Sequence, residues 1–129
     1  MAGFSDYLET KVLDHVFGGT AYTAPSTLYI SLYTAAPTDS TSGTEIGTSG
    51  SAYARQTATF NTSGGTTSNT ANIEFSTATS DWGTIVACGV MDASSGGNLL
   101  AYGTLTSSKT VSSGDVFRFN TGSLDITLT

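Results

Sequence analysis

A single histidine, a single cysteine and a handful of carboxylates are the residues in this 129-residue chain with the types needed for chemistry. His15, with a serine and either Asp14 or Asp92, has the makings of a hydrolytic triad. No G-x-S-x-G elbow supplies the serine, and a histidine near a helix C-terminus is favoured there by the helix dipole alone. Glu74, Asp81, Asp92 and Asp115 could pair as the acid and base of glycoside hydrolysis. All four fall at expected strand ends or turns, where acidic residues are ordinary. The stretch Asp39 to Glu45 is rich in oxygen, but its spacing departs from the EF-hand calcium loop, so it reads as a solvated loop. One cysteine and one histidine cannot complete a tetrahedral zinc site. The expectation is therefore no catalytic residue, no metal and no cofactor.

Binding is the alternative to catalysis. Trp82 and Tyr53 are the candidates for a sugar-stacking platform, which would make the domain a carbohydrate-binding module; the competing reading of Trp82 is an aromatic at the edge of the core. Tyr29 and Tyr33 share the polar side of one strand with Thr27 and Ser31, an arrangement that suits a protein contact or cover from a helix or loop. Cys88 lies in an apolar strand and reads as an inert core residue.

These side chains must be positioned by one helix and about eight short strands. Ser5 is a fair N-cap and Asp6 suits the first turn. Phe4, Leu8, Val12 and Val16 recur at i, i+4, flanked by Leu13 and Phe17, and Gly18–Gly19 end the helix. So short a helix is marginal alone and must dock, on its own sheet or on a neighbour. Residues 1–19 are thus a candidate docking element. "STLYISLYT" alternates cleanly, with Leu28, Ile30 and Leu32 on one face. "AYARQTATF" reads as one weaker strand and "ANIEF" as a short one with Ala71, Ile73 and Phe75 on one face. "WGTIVACGVMD" is apolar on both faces, hence central, and "NLLAYGTL" returns from it as a hairpin. "SSKTVSSGD" reads as a turn region, "VFRFN" brings Phe117 and Phe119 together, and "GSLDITLT" places Leu124, Ile126 and Leu128 on one face. Residues 35–51 and 61–70 read as long polar loops facing solvent, open to weak contact with glycans. Short strands between turn signals indicate one domain over 1–129, mainly β: an antiparallel β-sandwich, jelly-roll or immunoglobulin-like, with one short N-terminal α-helix.

Composition excludes further classes. The formal charge is −6, and the four cations Lys11, Arg55, Lys109 and Arg118 are scattered along the sequence. Nucleic acid and anionic membrane surfaces both call for a basic cluster. No apolar run approaches the ~20 residues of a membrane span, and the N-terminus lacks the pattern of a secretory signal. Serine and threonine make up roughly a third of the chain, so its surface is polar through hydroxyls rather than ions.

The motif order carries a resemblance. "GFSDYLETKVLDHVFGGTAYTAPSTLYISLYTAAPT" is followed by "YARQTATF", by "NIEFSTATSDWGTIVACGVMDASSGGNLLAYGTLTSSKTVSSGDVFRF" and by "GSLDITLT". Over nearly its whole length the chain is similar to a family of small bacteriophage virion proteins labelled tail fibre proteins. The resemblance implies a structural virion subunit, of tail-fibre or capsid decoration (cement) type, assembled in the host bacterial cytoplasm. It brings no catalytic motif. Partners are then expected among major capsid or tail proteins, with copies closing into a symmetric oligomer such as a trimer. The expected contact residues are Phe4, Leu8, Val12, Val16, Tyr29 and Tyr33.

Overall fold

A computed structural model describes residues 3–127. Its elements follow in order: β1 Gly3–Phe4, α1 Asp6–Val16, β2 Leu28–Ala35, β3 Thr44–Glu45, β4 Gln56–Ala58, β5 Phe60–Ser63, β6 Thr66–Asn69, β7 Ile73–Glu74, β8 Gly83–Met91, β9 Leu99–Val111, β10 Arg118–Phe119 and β11 Asp125–Thr127. The large sheet runs β1-β9-β8-β2-β3, and β4 shares the β2 edge with β3. Facing it are a three-stranded sheet, β11-β6-β5, and the pair β10-β7. Every pairing is antiparallel. The molecule is mainly β, with sheets packed in two layers and one short helix, as the alternation of its segments predicts.

The core lies between the layers. Ile30 pairs with Val90 and Leu32 with Cys88, so the four share the inner face of the large sheet. Ile73, Phe75, Phe117 and Leu124 meet them from the opposite layer. Tyr53 stacks on Phe75, centroids 6.1 Å apart, and meets Trp82 edge-on at 5.4 Å. Phe75, Phe117 and Phe119 continue the aromatic line in edge-on contacts. Strand β8, apolar on both faces, is central between β9 and β2.

Several local expectations are corrected. "AYARQTATF" is two strands, because the chain leaves the large sheet after Ala58 and enters the opposite layer at Phe60. Residues 61–70 are largely a hairpin: Ser63 faces Thr66 across Gly64–Gly65, with Gly64 at φ +63°, and threonine-rich arms suit a strand surface. The loop over 35–51 folds back on the sheet, burying Pro37, Ile46 and Ser51 and pairing β3 with β2. Only Ile73 and Phe75 of the "ANIEF" face are buried; Ala71 is exposed. The expected turn region over 107–115 is strand as far as Val111, because β9 runs Leu99–Val111. Ile85 faces Lys109 while Ala87 faces Thr104, so an irregular stretch of β9 from Leu105 to Ser108 stands opposite Val86 alone. Leu124 is buried and Ile126 half-buried, while Leu128 lies outside the described residues.

Candidate functional site

Helix α1 is held by its first turns. Ser5 accepts a hydrogen bond from the Leu8 N–H at 3.3 Å and donates its hydroxyl to the Leu99 carbonyl. Its own N–H reaches the Leu100 carbonyl at 2.8 Å. The cap therefore closes the helix and fastens it to β9 at once. Phe4, Tyr7 and Leu8 pack against the core, but no helical residue is fully buried. Towards the C-terminus the helix leaves the sheet. Leu13 is 57% exposed, Val16 61% and Phe17 81%. At i, i+3 and i+4 these three side chains share one face. Gly18 and Thr20 N–H groups bond back to the Asp14 carbonyl at 3.0 and 3.1 Å, ending the helix.

The expected apolar row of Phe4, Leu8, Val12 and Val16 is thus divided. Phe4 belongs to β1, paired with Ala101, rather than to the helix. Leu8 and Val12 are half-buried, and Val16 is open. Tyr29 is half-buried. Tyr33 is corrected outright: it is 2% exposed, so it offers no free surface. Its hydroxyl sits 2.9 Å from the Ser31 hydroxyl and 3.7 Å from the Met91 sulfur. The outer face of the sheet is covered there because Gly89 lets these side chains close in. A Cβ on Gly89 would stand 2.8 Å from Leu99 Cδ1 and 2.9 Å from Ser31 Oγ.

The sugar platform is also corrected. Trp82 and Tyr53 are both core residues. Trp82 donates its indole N–H to the Ser51 carbonyl at 2.8 Å. Tyr53 accepts the Leu32 N–H at 3.0 Å and donates to Glu45 Oε2 at 2.6 Å. An aromatic whose polar tip is used inside the core cannot present its face to a glycan.

The best-built polar cluster is structural. Arg55 forks onto Glu45, Nε to Oε2 at 2.9 Å and a terminal nitrogen to Oε1 at 2.8 Å. Its other terminal nitrogen donates to the Ala93 and Gly96 carbonyls, each at 2.8 Å. One guanidinium thus ties β3 to the β8–β9 turn. Burial alone would raise the Glu45 carboxyl, but hydrogen bonds from Arg55 and Tyr53 and the Arg55 charge hold it below its ordinary range. Burial and the bond to Glu45 push the Tyr53 phenol up. Nothing in the sequence pattern marks this clamp, since its members are ten residues apart in chain order and far from the turn they tie.

The candidates for chemistry are dispersed into local roles. His15 Nδ1 accepts the Tyr22 N–H at 3.0 Å, pinning the segment after the helix. Asp92 caps its own turn through Asn98, and Asp81 and Asp115 accept the N–H groups of Ser113 and Ser112. Burial pushes the Cys88 thiol up to about 11, so it stays a thiol at neutral pH. Among the described residues no group of histidine, cysteine and carboxylate side chains could hold a metal ion.

Among the described residues the large apolar side chains left exposed are Leu13, Val16 and Phe17 on α1, and Val116. The sequence names Leu13 and Phe17 only as flanking residues; their exposure follows from how far the helix runs beyond β9. No curated protein matches the chain. A family model described as podophage GP4 fiber I protein gp80 matches residues 3–127, and the chain belongs to that family of phage fibre proteins, structural components of the virion.

Proposed function

We propose that the protein is an exterior, non-enzymatic subunit of the tail fibre that docks on another virion protein through the open end of α1. One observation carries this reading. A domain that packs its other large apolar side chains leaves Leu13, Val16 and Phe17 together in solvent; among the described residues Val116 is the one further exposed large hydrophobe. Such a patch marks a contact surface. The fibre family favours the tail over a capsid decoration position. Assembly takes place in the host bacterial cytoplasm, where structural subunits meet before release. The non-enzymatic reading rests on His15 and the carboxylates being engaged in turns and caps.

Phe17→Asp tests the docking. Its side chain is exposed, so the variant folds as the parent does. Particles assembled with it are expected to lack the protein. Incorporation at the wild-type copy number would overturn the proposal.

A further inference from the structure

An apolar groove with a volume of about 360 Å³ opens at one mouth of the sandwich. Phe4, Leu8, Leu28 and Leu100 wall it on the side of α1 and the large sheet, and Ile126 of β11 lines it from the other layer. The turn Gly64–Gly65 between β5 and β6 forms part of its rim. Phe4, Leu8, Leu28 and Ile126 are only half-buried. Among the described residues no charged side chain lines the groove. A charged group entering it would lose hydration with no partner to replace it. The groove is also small. A specific protein interface takes roughly 20–30 residues a side, whereas an opening of this size suits an aliphatic side chain.

The chain supplies one in the right place. Along β11, Asp125 faces Ser68, Ile126 faces Thr67 and Thr127 faces Thr66. Each step forward on β11 is one step back on β6. The next residue, Leu128, therefore comes opposite Gly65, on the rim of the groove. Alternation fixes its face. Leu124 is buried and Ile126 half-buried, whereas Asp125 and Thr127 are exposed. Leu128 stands two residues after Ile126 and so shares its face, roughly 7 Å further along the strand. Gly65, its cross-strand neighbour, has no side chain to occupy that space. Leu128 itself lies outside the described residues, so the argument is one of register and alternation.

We infer that the side chain of Leu128 seats in this groove and closes the mouth of the sandwich within one chain. There it meets Ile126 on its own strand and Phe4 and Leu8 across the groove. It thereby ties the three-stranded sheet to β1 and to the first turns of α1. The groove then belongs to the fold and is not a second docking surface. The inference does not depend on the docking role of Leu13, Val16 and Phe17 proposed above.

Two measurements on the full chain test it. At 13.2 kDa the chain suits solution nuclear magnetic resonance. Through-space contacts are expected from the Leu128 methyl groups to the Phe4 ring and to the Leu8 methyl groups. Leu128 methyl groups that contact neither overturn the inference. In thermal melts, Leu128→Ala should lower the midpoint by about 3–6 °C. Leu128→Asp should lower it further, because a carboxylate cannot enter the groove without losing its hydration. Thr129→Asp, one residue on and on the opposite face, should leave the midpoint within about 1 °C. A Leu128→Asp midpoint equal to that of the wild type overturns the inference. So do equal losses in Leu128→Asp and Thr129→Asp, which would trace the effect to added charge rather than to an emptied groove.

Discussion

At the residue scale, the clamp of Tyr53, Glu45 and Arg55 joins distant parts of the chain. Arg55 is the only bridge from β3 to the β8–β9 turn that the described hydrogen bonds provide, and it meets Glu45 through two parallel bonds. Arg55→Ala leaves a partly buried carboxylate and two carbonyls without their donor. Urea unfolding should show a loss of about 3 kcal/mol. The same pair sets a pH dependence. Glu45 titrates below its ordinary value in the folded chain, so its contribution is complete above about pH 4.3 and is lost as pH falls through the lower folded value. Glu45→Gln should flatten the acid limb of a thermal melt recorded against pH; an unchanged limb would place the acid sensitivity elsewhere. Gly89 is the second critical position. A Cβ there would press on Leu99, Ser31 and Tyr33 together, and Tyr33 Cε2 would lie 3.0 Å away. Gly89→Ala should cost about 1–3 kcal/mol by calorimetry.

At the element scale, α1 has two halves with different work. Its first turns belong to the sandwich through Ser5, Tyr7 and Leu8; its last turn is open to solvent. Leu8→Ala should therefore cost about 1–2 kcal/mol, less than a fully buried leucine, whereas Phe17→Asp should leave stability within about 0.5 kcal/mol. Equal effects in urea unfolding would contradict the division. The sequence made the helix, its cap and its glycine stop legible because these are local signals. Strand β2 was legible because its apolar alternation is unbroken, and β8 because both of its faces are apolar. What escaped was set by long-range pairing. The break between β4 and β5 depends on which layer each half joins, and the β5–β6 hairpin was hidden by serine and threonine that read as loop. Tyr33 looked exposed because alternation separates faces but does not say what covers each one. Likewise Trp82 and Tyr53 declare their polar tips only when Ser51, Leu32 and Glu45 are brought to them.

At the scale of the whole molecule, an acidic β-sandwich leaves three apolar side chains, Leu13, Val16 and Phe17, exposed at the end of its one helix. This arrangement explains the lone helix at the front of a β domain: β1 and the first turns of α1 anchor the segment, and the rest projects. Deletion of residues 1–19 should accordingly do two things, abolish incorporation and expose Leu28, Leu100 and Ala101, which dye binding to apolar surface would detect. The most direct measurement is cryo-electron microscopy of the virion with this chain located in the map. The account predicts the chain in the tail fibres, with Leu13, Val16 and Phe17 buried against a neighbouring protein. A chain seated on the capsid lattice, or a fibre subunit whose α1 end faces solvent, would contradict it.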